Sequence, residues 1–182
     1  MPRDQSVITT YHEAGHAVMA LASGFMVTEI TNVPSSEGLG YVSWLEPSTH
    51  TTESRINSVL VSAAGLAADF LHGTQYGTDG NDNLVGHFDD QRRASIHLSE
   101  LGHDGQFEIY VQIAIRFLGR PDVWRWVEGF ADLLTMAGTI NGQELLCKAS
   151  QNVPKIGHDD LDFLKIALDV SKRGLLGKLE GR

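Results

Sequence analysis

Near the start of the chain, two histidines stand four residues apart with a glutamate directly after the first, in His12-Glu13-Ala14-Gly15-His16. On an α-helix, residues at this spacing lie one turn apart on one face, so both imidazoles can reach a single metal ion. Glu13 projects beside the same face, where it could take a proton from water polarised by the metal and pass it to a leaving amine. That division of labour needs H-E-x-x-H rather than two histidines alone. The ion that suits this donor set is Zn2+, and the chemistry it points to is hydrolysis by metal-activated water. The competing explanation is a chance pair of solvated helix histidines, and the amphipathic setting of the motif counts against it.

A catalytic zinc takes three protein ligands and leaves a fourth position for water. The residues after His16 are Ala17-Val18-Met19-Ala20-Leu21-Ala22, none able to coordinate zinc except weakly Met19, so the third ligand must come from farther along the chain. The motif lies in a predicted helix that Ser6 caps and Gly24 stops, with Val7, Ile8, Tyr11, Ala14, Val18 and Leu21 at helical spacing. Val27 to Val33 and Gly40 to Leu45 read as a β-hairpin around Ser35 to Gly38. A densely apolar helix follows from Thr52 or Ser54 to Leu71, and its small Ala63, Ala64, Gly65, Ala67 and Ala68 allow close packing. His72 to Phe88 is a Gly/Asp/Asn-rich connection long enough to suggest a functional loop. Five more helical patterns follow, about Asp89 to Leu101, Gln106 to Leu118, Val123 to Met136, Gly142 to Ser150 and Asp159 to Val170, and residues 174–182 read as a flexible tail. The expectation is one domain over 1–182, mainly α with a small β-hairpin or sheet beside the first helix.

With 182 residues, 42% of them hydrophobic and 20% charged, the chain has the makings of one soluble globular domain. A net charge of −9 with no Lys/Arg block argues against nucleic acid or anionic membrane as partners. Cys147 is the only cysteine, which excludes an internal disulfide and any Cys-based zinc or redox motif. No secretory h-region and no bilayer-length apolar run is visible, so a cytoplasmic location is expected.

Several stretches resemble the peptidase domain of the FtsH family of ATP-dependent, membrane-anchored zinc proteases. Thr10-Tyr11-His12-Glu13-Ala14-Gly15-His16-Ala17 is similar to that family's A-Y-H-E-A-G-H-A. Val27 to Ile30 followed by Leu39-Gly40-Tyr41-Val42 looks like its strand pair ending in L-G-Y, and Arg55-Ile56 through Ala64-Gly65-Leu66-Ala67-Ala68-Asp69 resembles its R-I-x-x-x-L-x-G-G-R-A-A-E helix. Asn141 to Leu146 looks like a segment near the end of that domain. The first half of the chain matches in order, the second half in patches.

The resemblance implies an FtsH-like zincin fold whose third zinc ligand is an aspartate opening a later helix. Asp90, in Asp89-Asp90-Gln91-Arg92-Arg93-Ala94, is the closest counterpart, with Asp89, Asp82 and His87 as alternatives and His97 and His103 as remoter ones. Asp89 and Asp90 equally suit a helix start as cap and dipole partners. Asp69 stands where the family has a Glu and would support a ligating histidine from behind, unless it is simply a polar residue on an exposed face. Gly40, Tyr41 and Val42 would form the edge strand that holds an extended substrate, or else merely cover the core. Trp44, Trp124 and Trp126 read as core or groove aromatics.

This sequence contains neither a G-x-x-x-x-G-K-[ST] phosphate loop nor membrane anchors. The expectation is therefore a stand-alone zinc metalloendopeptidase that works without ATP on unfolded or flexible polypeptide, or that receives substrate from a separate ATPase or delivery partner. Two other readings stay open: a non-catalytic, zinc-stabilised interaction domain, and a zinc hydrolase of a small amide.

Overall fold

A computed structural model describes residues 4–36, 38–45, 51–76 and 87–179. Its elements run α1 (Gln5–Ala22), β1 (Met26–Thr31), β2 (Tyr41–Leu45), α2 (Thr52–Tyr76), α3 (His87–Leu101), α4 (Phe107–Leu118), α5 (Pro121–Ala137), β3 (Thr139–Ile140), α6 (Gln143–Asn152) and α7 (His158–Leu179). The protein is mainly helical, with one small antiparallel sheet of order β2-β1-β3.

Asp4, rather than Ser6, caps α1, its carboxylate accepting from the Ser6 N–H at 3.0 Å. At the other end Gly24 takes φ +82°, a left-handed turn that lets the chain fold back into β1. Two carbonyls in the last turn of α1 find partners far along the chain: the Lys155 ammonium donates to Leu21 O at 2.7 Å and the Ile156 N–H to Ala22 O at 3.2 Å. Almost all of α1 from Glu13 onward is buried, because α2, α5 and the sheet all pack against it.

α2 is the second central element and runs on to Tyr76, into the segment where the sequence suggests a loop. The last turn is held by ring stacking: His72 lies 3.9 Å from Tyr11 and 4.7 Å from Tyr76, and Tyr11 in turn stacks on the buried Trp124 at 5.9 Å. By length and composition α2 is the one helix among the described residues apolar enough to cross a membrane, but 78% of that window is buried inside the protein. Its apolarity is that of a core helix.

β1 pairs with β2 through a register shift between Val27 and Glu29, and on its other side with the two-residue β3. That third strand is too short to leave a pattern in the sequence; Gly138 at φ +71° ends α5 and turns the chain into it. Because β1 is central, β2 lies at the edge of the sheet, with no further strand beside it among the described residues. Asn32 just past β1 donates to Thr10 Oγ1 at 2.7 Å and fixes the sheet against α1. On the far side α7 continues helically to Leu179, past the Gly174 from which a flexible tail is expected, and residues 180–182 lie outside the described ones.

The α1–α2 contact depends on missing side-chain volume. A Cβ on Gly15 would meet Ala68 Cβ at 2.5 Å and the Ala64 carbonyl oxygen at 2.7 Å. Alanine is the better helix former by about 1 kcal/mol, yet overpacking typically costs about 1–3 kcal/mol, more so against immovable backbone. Gly15→Ala is therefore expected to destabilise the protein by about 1–2 kcal/mol, roughly 2–8 °C in Tm. Gly129, on the exposed side of α5 with nothing within 4 Å of an added Cβ, is the control. Gly129→Ala should raise Tm slightly, and equal shifts in the two variants would refute the packing argument.

Candidate metal centre

His12 and His16 both lie on α1, and their rings meet at 82° with centroids 4.6 Å apart. Each is held from behind by a group that can only accept a hydrogen bond. His12 Nδ1 lies 2.9 Å from Asp69 Oδ2 on α2, and His16 Nδ1 lies 2.6 Å from the Val61 carbonyl oxygen on the same helix. An acceptor at Nδ1 places the proton there and leaves the lone pair on Nε2. Both Nε2 atoms then face forward, 3.0 Å apart.

α3 brings the third group. Asp90, in its first turn, sets Oδ2 3.1 Å from His12 Nε2 and 3.2 Å from His16 Nε2. Two lone pairs and a carboxylate oxygen thus crowd one point, a mutually repulsive arrangement unless something positive lies among them. The edge of a tetrahedron with zinc–nitrogen bonds of about 2.0–2.1 Å is about 3.3–3.4 Å. The observed separations of 3.0, 3.1 and 3.2 Å are close to that. The donor set and its spacing fit Zn2+, and these three residues form the one cluster of this kind among the described residues.

The electrostatics tell the same story through protons. Burial works to lower the pKa of His12, but hydrogen bonds to Asp69 and Asp90 outweigh it and hold the pKa well above the ordinary value. His16 is shifted up too, burial being outweighed by the Asp90 carboxylate. For Asp90, burial favours the neutral acid, but the two imidazoles prevail and keep it ionised to far lower pH than usual. The cluster draws in positive charge, whether as protons or as a metal ion.

Glu13 is buried next to this cluster, and burial raises its pKa against the opposing pull of His16 and His12. The chain just before β2 presses on it: a Cβ on Gly40 would lie 2.8 Å from Glu13 Cγ, 2.9 Å from its Oε1 and 2.7 Å from Thr31 O. Gly40, Tyr41, Val42 and Trp44 line one wall of the cleft, α1 the floor and the start of α3 the other wall. Tyr41 donates its hydroxyl to Glu29 of the adjacent strand, and Val42 faces the core.

Of the other candidates, Asp89 lies on the exposed side of α3 and pairs with Arg92 at 3.3 Å. The His87 side chain and all of Asp82 lie outside the described residues. His103 Nδ1 is 2.7 Å from the Tyr110 hydroxyl, away from the cleft, and His97 does not line the cleft either. Asp69 is buried against His12 rather than turned to solvent. Trp124 belongs to the core stack on Tyr11.

Sequence reasoning misses two contributors. The Val61 carbonyl has no side-chain signature. Gly65 does have one, a lone glycine within a run of alanines: its missing Cβ would fall 2.4 Å from both His12 Cε1 and His16 Nε2.

Over 84 residues the chain is 38% identical to the ATP-dependent zinc metalloprotease FtsH 1 of Alkaliphilus metalliredigens (strain QYMF); the match takes in 43% of this chain and 14% of that protein. The chain therefore contains an FtsH-related region and spans a small part of its relative's length. No protein-family description matches the chain.

If Asp69 orients and polarises His12, Asp69→Ala should weaken zinc binding about 10–100-fold while a single ion still binds at saturation. Competition with a chromogenic chelator measures this, and unchanged affinity would exclude the role. Gly65→Ala, which drives a methyl group into both imidazoles, should abolish binding at the same metal concentration.

Proposed function

We propose that the chain is a zinc-dependent peptidase with an FtsH-like zincin fold, in which His12, His16 and Asp90 hold the ion and Glu13 is the general base. The observation that carries this reading is the meeting of three acceptor atoms, two of them imidazole nitrogens whose tautomers are fixed from behind. The 38% identity to a zinc metalloprotease over 84 residues supports it.

Zinc, when bound, makes a coordinated water acidic enough to lose a proton near neutral pH and polarises a carbonyl oxygen. The protein's own groups do the rest. Asp69 and Val61 O keep the Nδ1 protons in place, so His12 and His16 offer their Nε2 lone pairs throughout. Glu13, partly desolvated, takes the proton from the attacking water and returns it to the departing amine. Its raised pKa brings it closer to the working range of such a shuttle than an exposed glutamate would be. Gly40 lets the backbone lie against the Glu13 side chain and limits where its carboxylate can swing.

The position of β2 at the sheet edge among the described residues suits a polypeptide bound as an added strand along Gly40, Tyr41 and Val42, through main-chain hydrogen bonds that read little sequence. Unfolded or flexible segments are the substrates such a cleft would take, in a cytoplasmic setting, with or without a separate ATPase or delivery partner. A buried glutamate beside the cluster favours catalysis over a purely structural ion, since a structural site gains nothing from a base.

The purified protein should hold one zinc per chain and cleave casein. Glu13→Gln should keep the zinc and lose cleavage about 100-fold or more, in line with the loss of a general base. Asp90→Ala should lose the zinc. Equal cleavage by wild type and Glu13→Gln would overturn the mechanism; zinc retained in Asp90→Ala would overturn the ligand set.

A further inference from the structure

We propose that Arg93 is the specificity residue of the cleft, receiving a carboxylate of the bound peptide within one or two residues of the scissile bond. The inference rests on the peptidase reading and adds the substrate's chemistry to it.

Arg93 stands on α3 three residues after Asp90 and lines the same cleft. Residues three apart on a helix have Cβ atoms about 5–6 Å apart, and an extended peptide advances about 3.3 Å per residue. An Arg side chain rooted there therefore reaches the stretch of substrate next to the reacting bond. Among the described residues of the cleft wall it is the only one with a permanent positive charge.

Among the described residues its charge has no partner. The acidic groups around it have other partners: Asp90 faces His12 and His16, Asp69 faces His12, and Asp89 pairs with Arg92 at 3.3 Å. Glu13 is buried against Gly40 and the histidines. Arg93 itself makes no ion pair or hydrogen bond among the described residues, and its side chain is exposed. A guanidinium cannot shed its proton at working pH, and its fork of donors matches a carboxylate with two parallel hydrogen bonds. Apart from the metal centre itself, the described residues of the cleft are acidic or neutral, so Arg93 is the one further side chain there that attracts an anionic part of a substrate. The carboxylate can belong to an Asp or Glu side chain or to the peptide's own C-terminus.

The test uses the zinc-loaded full chain and peptidyl hydroxamates, which anchor on zinc without being cleaved. One probe carries a Glu side chain next to the hydroxamate and an amidated C-terminus, a second ends there in a free α-carboxylate, and a third has Gln and an amide. At least one carboxylate probe should bind wild type about tenfold tighter than the neutral one, the gain of one exposed charge-assisted contact. Arg93→Gln should erase that preference and Arg93→Glu reverse it, with zinc content unchanged in both. Which carboxylate probe gains tells a side chain from a chain end. No preference in wild type, or a preference that survives Arg93→Gln, overturns the proposal, as does failure of every probe to bind. A preference lost in Arg93→Gln without any casein cleavage would uphold Arg93 while overturning the peptidase reading.

Discussion

Two hydrogen bonds that reach α1 from α2 govern everything else in the site. Asp69 and the Val61 carbonyl hold the Nδ1 protons of His12 and His16, and that alone aims both Nε2 lone pairs at one point. Were either partner to rotate away, its imidazole would be free to tautomerise, and the forward nitrogen could present a proton instead of a lone pair. The requirement reaches back into the fold. Carbonyl and carboxylate come within hydrogen-bond distance only because α1 and α2 lie close, and they lie close because Gly15, Ala64, Gly65 and Ala68 offer almost no side-chain volume. Helix packing and metal-site chemistry are thus one constraint.

The remaining elements act as walls around that pair. α3 delivers Asp90 from its first turn, where the helix dipole favours a carboxylate. The sheet, tied to α1 through Asn32 and Thr10, brings the backbone at Gly40 against Glu13. Each wall contributes something the central pair lacks: an anionic oxygen on one side, and on the other a strand edge and a backbone stop for the Glu13 side chain. The 84-residue match records an FtsH-related region and fixes the role of no residue in this arrangement.

Much of this was legible in the sequence because it follows from short-range rules. The i, i+4 histidines, the hairpin and the helical periodicities all declare themselves within a few residues, and their positions in the structure differ mostly by a residue or two at the ends. What stayed hidden depends on contacts between distant segments. β3 is two residues long and exists only because Gly138 turns it onto β1. The last turn of α2 looks like loop in composition, yet His72 and Tyr76 stack it into order against Tyr11. Choosing Asp90 over Asp89 needed a family resemblance, because two adjacent carboxylates at a helix start are chemically alike. Only their directions differ, one toward the histidines and one toward Arg92.

The 78 positions that separate His12 from Asp90 give the cluster a topological meaning as well. An ion shared by the two would close a loop of that length, and a permanent cross-link of such span would restrict the denatured chain by roughly 4–5 kcal/mol. Unlike a disulfide, this clasp opens whenever the ion leaves. The chain has no disulfide to take its place, Cys147 being alone. With an ion held there, resistance to unfolding would follow the free metal around the protein, so that metal supply would set the lifetime of the folded chain.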